Sequence, residues 1–332
     1  MIMKNKLIRF ILVGSAVTML YGFSNDSMAH GAEFKVISTS YSKPFTSIQV
    51  FKNFKPIETK QYKISGVTKI SDGLIFDMYG DTLIDLKSKD KSVHKTEINP
   101  LNIKRVNDGL VSLNNSNLNE FSITKYTTSY KKSQGTKRFV GHARDFIIDQ
   151  SNIYVLANVY GDTSRDVTLY TIDRKSLKVK SAKIIPQLTF GFYFKKIDQQ
   201  IKIYGNLTEE NEELAISTYD IKTKSSELTL TVPESVMWVS KTKQISSQKE
   251  LLLNAYSLLE VDYKTKQVKR AYASNNALID FRYHAPERCY YVLEGDVERR
   301  VYTVTILNQK MKKIKSSIIT PPPHTFPVVL SL

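Results

Sequence analysis

The chain of 332 residues has a single cysteine, Cys289, so an intrachain disulfide is excluded, and with it a disulfide scaffold or a zinc site built on cysteines. It has one tryptophan, Trp238, too few for the repeating Trp-Asp dipeptide of WD propellers. Glycine is sparse at 13, and no two glycines are adjacent, which excludes kelch-type repeats. No Ser-x-Asp-x-Gly-x-Thr-Trp box of the sialidase type occurs, and no Gly-x-Ser-x-Gly elbow, phosphate loop or dinucleotide fingerprint. No uncharged run reaches the ~20 residues that a membrane span needs. Acidic residues are in the minority, 32 against 48 Lys and Arg, for a formal charge of +16. What is present is 41% hydrophobic residues, 19 Tyr, 15 Phe and many β-branched residues, the composition of a globular chain with a β-rich core.

The N-terminus reads as a targeting signal. Lys4, Lys6 and Arg9 precede 14 uncharged residues, Phe10 to Phe23, and Ser27-Met28-Ala29 supplies small residues before a cleavage point after Ala29. The expected division is therefore a secretory signal at 1–29 and one domain at 30–332. An uncleaved signal anchor is the alternative, and it is the sole membrane contact expected. No cysteine stands just after the apolar run, and Cys289 lies too far downstream to serve, which excludes a lipoprotein anchor. Three bases and Asp26 leave with the signal, so the charge falls from +16 to +14. An exported chain without disulfides points to a secreted or envelope-associated protein of a Gram-positive cell.

Residues 30–332 read as a repeat. A strand ending in Asp, followed by x-Lys-Ser/Thr, occurs at Asp85, Asp173, Asp220 and Asp262, spaced 88, 47 and 42 apart, where 88 is two units of 44. An Asp there accepts hydrogen bonds from backbone N–H groups two residues on, so each phrase predicts the tip of a β-hairpin. A second signal, Asp-Gly between hydrophobic runs, occurs at Asp72-Gly73 and Asp108-Gly109. Asp149 to Val155, Asp198 to Ile201 and His284 to Cys289 fill the same slot later in the chain. Seven outer hairpins are predicted near residues 47–64, 82–98, 118–130, 167–184, 214–232, 257–273 and 299–318. Seven units in 303 residues average about 43 each, the length of a four-stranded propeller blade. The first unit has three strands, and the chain ends in a lone strand, Phe326 to Leu332. The expected fold is all-β, a seven-bladed β-propeller of four-stranded blades, closed by pairing the N- and C-terminal strands in blade one.

The stretch Asn152-Ile153-Tyr154-Val155-Leu156-Ala157-Asn158, a loop, and Val167 to Asp173 resembles a blade of the YVTN type, a propeller of the quinoprotein-dehydrogenase-like class. Related but degraded forms are Lys202-Ile203-Tyr204-Gly205-Asn206 and Tyr290-Tyr291-Val292-Leu293. The resemblance implies a secreted or surface propeller, a fold that hosts binding proteins and enzymes alike.

No catalytic constellation stands out. His94, His142, His284 and His324 are scattered without metal-ligand spacing, and Cys289 reads as a small core hydrophobe in a buried strand. No cofactor and no metal are expected. Glu209-Glu210-Asn211-Glu212-Glu213 and Tyr160 to Asp166 read as solvated loops. The expected site is the channel mouth, where inter-blade loops and the loops between middle strands converge. The candidates there are Arg138, His142, Arg144, Asp162, Arg165, Trp238, Tyr256, Asn276, Glu294 and Asp296. Basic residues interleave with aromatics at Tyr126 to Arg138 and Lys310 to Lys315. The expected role is a monomeric binding module whose partner is a protein or an anionic cell-envelope polymer, without specific nucleic-acid recognition. The alternative is an enzyme, a lactonase or a cofactor-dependent dehydrogenase, with its site over the central channel.

Overall fold

A computed structural model describes residues 32–332 except 68, 72, 78–79, 88–92, 96–99, 131, 162–164, 208–212, 236–237 and 297. The expected signal at 1–29 lies outside the described residues. Described strands form seven four-stranded antiparallel sheets, and no described segment is helical. From the axis outward, blade one is Phe326–Ser331, Glu33–Thr39, Thr46–Lys52 and Lys55–Tyr62. Blade two is Ile70–Ser71, Leu74–Phe76, Thr82–Asp85 and Val93–Lys95. Blade three is Pro100–Val106, Gly109–Asn115, Glu120–Tyr126 and Lys132–Val140. Blade four is His142–Ile148, Asn152–Tyr160, Arg165–Asp173 and Val179–Ile184. Blade five is Phe190–Ile197, Gln200–Asn206, Glu213–Asp220 and Ser225–Ser235. Blade six is Lys241–Gln244, Lys249–Leu253, Ser257–Asp262 and Gln267–Ala273. Blade seven is Ala277–His284, Cys289–Asp296, Val301–Leu307 and Lys313–Ile319.

The ring closes as expected. The C-terminal strand is innermost in blade one and pairs antiparallel with Glu33–Thr39, so the first and last described strands share one sheet and an open edge is removed. The Asp-x-Lys phrases are the hairpin tips. Asp173 Oδ1 accepts the N–H groups of Lys175 (3.1 Å) and Ser176 (2.8 Å), and Asp220 and Asp262 repeat the pattern. The fourth residue after each of these acids, Leu177, Lys224 and Lys266, takes a positive φ. Blade seven has no Asp at its tip, and Asn308 takes over by accepting from Lys310 and Lys312. Blade one uses a two-residue turn, Asn53-Phe54, with both residues left-handed. One boundary differs from expectation. The third outer hairpin extends to Val140, because Lys132–Val140 pairs with Glu120–Tyr126.

Each described core cluster lies between two successive blades, and there are seven of them. Strand alternation makes this possible. Along the second strand of blade four, Ile153, Val155 and Ala157 pack toward blade three, while Tyr154 and Leu156 pack toward blade five. A middle strand is thus buried on both faces and reads as a continuous apolar run. The Asn of the Tyr-Val-x-x-Asn phrase closes the same interface. Asn158 Oδ1 accepts the N–H of Gly191 at 2.8 Å and its Nδ2 donates to the Gly191 carbonyl at 3.3 Å. Asn115 clamps Ala143 of blade four in the same way, at 2.9 and 3.0 Å. Blades two and three are joined through the buried carboxylate of Asp85, which takes the Lys87 N–H at 2.8 Å, the Tyr130 hydroxyl and the Arg105 guanidinium.

Candidate functional site

The first strand of every blade lines the axis. Five of these strands carry a one-residue bulge, which sets Asn102, Asp145, Tyr193, Asp280 and, in the closing strand, Val329 in equivalent places around the ring. The two acids are fully engaged. Asp145 accepts Lys69 Nζ at 2.7 Å, Asn102 Nδ2 at 2.6 Å and the Phe146 N–H at 2.7 Å. Asp280 accepts Lys241 Nζ at 2.6 Å, the Phe281 N–H at 2.8 Å and the N–H of Leu330, in the closing strand, at 2.9 Å. Burial would push the Asp145 carboxyl up, but Lys69, Lys104 and Asn102 outweigh it and hold it below the usual range. Burial, assisted by Arg282, lowers Lys241 to about 8 despite Asp280. These acids tie blades together and offer no free carboxylate to a substrate.

A basic cavity lies between the inner strands of blades five and six. It is an open recess of about 630 Å³ lined by Tyr193, Lys195, Ile197, Gln200, Lys202, Thr242, Lys243, Gln244 and Ser247. The strand period of two builds it: Tyr193, Lys195 and Ile197 share one face of their strand, while Phe194 on the other face enters the core. Ile197, Gln200 and Ser247 flank the turns between inner and second strands, so the cavity lies toward that end of the channel. Behind it sits the fully buried carboxylate of Glu250, paired with Lys195. Its other oxygen accepts the hydroxyls of Tyr204 at 2.8 Å and Tyr263 at 2.7 Å. Burial opposes ionisation of Glu250, but the Lys195 ammonium prevails and lowers it. Lys202 Nζ stands 3.4 Å from the centroid of the Tyr263 ring, and Lys243 Nζ 5.5 Å from that of Tyr283. Burial lowers Lys202, with Lys195 adding to it and Glu250 opposing. Three ammonium groups against one carboxylate leave the cavity a formal charge of +2.

The sequence candidates fall elsewhere. Arg138 is on the outer strand of blade three, where it pairs with Glu120 at 3.3 Å, away from the channel mouth. His142 begins the inner strand of blade four, 3.4 Å from Asn115 Nδ2 and from the Asn117 carbonyl. Burial and the neighbouring Arg144 lower it. Arg144 is the bulged residue of that strand, and its guanidinium packs 4.2 Å over the Phe190 ring. Arg165 lies 5.7 Å over Tyr160, and Asp162 is outside the described residues. Trp238 is 60% exposed just before blade six. Asp296 ends a strand and accepts the Arg299 N–H at 2.9 Å. Tyr256, Asn276 and Glu294 are brought near one another through Ser274. Glu294, buried, accepts Tyr272 and Ser274 hydroxyls at 2.6 Å each, and the Asn276 N–H donates to Ser274 Oγ at 3.0 Å. Tyr256 and Ser274 line a second cavity of about 410 Å³ beside Arg270. The basic stretch at Lys310 to Lys315 is partly a turn, since its strand starts at Lys313. Cys289 is buried as expected, but not alone: its thiol is 3.7 Å from Glu287.

The cavity lysines were missed because alternation such as Tyr193-x-Lys195 and Gln200-x-Lys202 also describes a strand with one face in water. The available signal was their occurrence on inner and second strands, in a unit whose outer strand was already assigned.

No family model matches the chain, and no curated protein matches it. Solved structures share the fold. A hypothetical selenium-binding protein from Sulfolobus tokodaii aligns with a TM-score of 0.62 at 8% identity, covering 92% of this chain and 93% of that one. The periplasmic gluconolactonase of Pseudomonas aeruginosa aligns at 0.60 and 9% identity, covering 90% and 98%. A putative 6-phosphogluconolactonase from Bacteroides fragilis aligns at 0.56 and 9% identity, covering 92% and 98%. At these identities the likeness establishes the seven-bladed fold and bears out the propeller resemblance at that level.

Proposed function

We propose that the protein is a binding module at the cell surface that takes an anionic ligand into the basic cavity between blades five and six. The observation that carries this is the placement of Lys195, Lys202 and Lys243 around one cavity whose single carboxylate, Glu250, is buried and already saturated. Lys195 and Lys202 are partly buried and Lys243 is exposed at the rim; a partly desolvated ammonium group attracts phosphate or carboxylate more strongly than a fully solvated one does. The volume suits a few units of a chain or one small molecule. With an export signal expected at 1–29, the fitting class is a phosphate-bearing envelope polymer of the poly(alditol phosphate) type.

The test is binding of a defined oligo(glycerol phosphate) by calorimetry. Lys202→Met with Lys243→Met is expected to weaken it at least tenfold, while Lys310→Met with Lys312→Met, on an outer turn, leaves it unchanged. Equal losses in both pairs would reduce the interaction to general surface charge.

A second reading, hydrolysis of a sugar lactone, is supported by the fold shared with the two lactonase-named structures. A phosphorylated lactone carries the charge the same cavity favours. Acid release from added lactones, followed by pH-stat, separates the two readings: turnover abolished by the cavity pair favours the enzyme, and none favours binding alone.

A further inference from the structure

Three side chains with metal-ligating atoms meet at the turn between the inner and second strands of blade seven. His284 ends the inner strand and Cys289 begins the second, and the two are paired directly across the turn. Glu287 lies in the turn between them. The His284 imidazole nitrogen, a Glu287 oxygen and the Cys289 sulfur all lie within 4.8 Å of one another. One oxygen, Glu287 Oε2, is the common neighbour: His284 Nδ1 is 3.4 Å from it, Cys289 Sγ 3.7 Å and the Tyr291 hydroxyl 2.9 Å. His284 Nδ1 is buried and makes no hydrogen bond among the described residues.

The spacing fits a particular ion. Zinc binds nitrogen or carboxylate oxygen at about 2.0–2.2 Å and thiolate at about 2.3 Å, in a tetrahedron. Ligand atoms at those lengths and that angle stand about 3.4–3.6 Å apart. The His284–Glu287 and Cys289–Glu287 separations, 3.4 and 3.7 Å, match, and the His284 and Cys289 ligand atoms lie within 4.8 Å of each other. The donor set, one imidazole, one carboxylate and one thiol, suits a borderline-soft ion and not the all-oxygen shells of calcium or magnesium. The surroundings support it as well. Tyr291 packs against Phe34 of blade one with ring centroids 5.7 Å apart, and Phe51, Ile306 and Leu330 fill the same cluster, so the thiol faces an apolar, water-poor wall.

We propose that His284, Glu287 and Cys289 form a site for one divalent transition-metal ion of the zinc class, with a fourth position left to water or a bound group. Binding replaces the thiol proton, which leaves to solvent, by the metal–sulfur bond. All three ligands belong to blade seven, so the ion would pin the turn between its inner and second strands, beside the core that this blade shares with blade one. It is independent of the lysine cavity.

The experiment is titration of the chelator-treated full-length protein with Co²⁺, followed by competition with Zn²⁺. The expected result is one Co²⁺ per chain with a near-ultraviolet thiolate-to-cobalt band, displaced by one Zn²⁺. Cys289→Ala is expected to abolish the band. His284→Gln, at a partly exposed position that leaves the core intact, is expected to weaken binding at least tenfold while thermal unfolding without metal stays unchanged; it decides the matter if the cysteine variant folds poorly. His142→Gln, on another blade, is expected to bind as the parent does. Absence of the band, or affinity unchanged in His284→Gln, overturns the proposal.

Discussion

Replacing Glu250 by Gln separates stability from binding, because the two should move in opposite directions. Glu250 is fully buried and Lys195 nearly so, with 0% and 16% of their side chains exposed. Removing one partner of a buried ion pair costs about 3–5 kcal/mol. The amide keeps the shape and can still accept the Tyr204 and Tyr263 hydroxyls, and Lys195 retains Gln244 Oε1 at 3.3 Å. The expected loss is therefore near or below the lower bound, about 2–3 kcal/mol, or roughly a 5 °C fall in Tm for a chain of this length. In the same variant the cavity charge rises from +2 to +3, because Lys195 is no longer neutralised. A hydrogen bond from a freed ammonium to an anion contributes about 1.5–3 kcal/mol, so affinity for oligo(glycerol phosphate) should rise about tenfold or more. Calorimetric unfolding and titration of the same preparation read both quantities. Lower stability with lower or unchanged affinity would refute the assignment of the lysines to an anion site.

Three further outcomes follow from the interfaces. Asn158→Ala removes both hydrogen bonds to Gly191 and leaves that buried N–H unpaired, so urea unfolding should show a loss of about 1–3 kcal/mol. Asp85 is lowered from 3.8 to about 2, since Arg105, Tyr130 and the Lys87 N–H outweigh its burial. Its contribution, about 2 kcal/mol, is complete above the unfolded value and is lost as pH falls from about 4 toward about 2; Asp85→Asn should flatten that part of the acid-unfolding curve, and an unaltered curve would contradict the pairing. Asp280→Asn weakens the contacts to Lys241 and to the Leu330 N–H. Amide exchange should then quicken in Phe326–Ser331 before the outer strands of other blades change.

The repeat was legible because its chemistry is local. Asp173, Asp220 and Asp262 bond to N–H groups two and three residues on, so the hairpin is written in four or five consecutive residues. Closure was legible because a three-strand first unit and a lone last strand leave one economical pairing. The outer strand of blade three was cut short because its hairpin lacks the Asp, and Lys132 to Gly135 reads as a loop. The lysine cavity was not legible as a site. Whether Lys195 faces water or an inter-blade space depends on Glu250 and Tyr263, 55 and 68 residues away in the chain. His284, Glu287 and Cys289 lie within six residues, and their grouping could have been read by pairing His284 with Cys289 across the turn. Of the channel-mouth candidates, Tyr256, Asn276 and Glu294 are neighbours around Ser274, whereas Arg138 belongs to an outer strand and the Glu294 carboxylate is taken up by Tyr272 and Ser274.

The central claim is that the cavity between blades five and six holds an anion. Titration of the parent and of Lys202→Met/Lys243→Met with oligo(glycerol phosphate), at low and high salt, tests it most directly. Saturable one-site binding that weakens with salt is expected for the parent, and at least tenfold weaker binding with a shallower salt dependence for the variant. The same affinity and the same salt dependence in both proteins would contradict it.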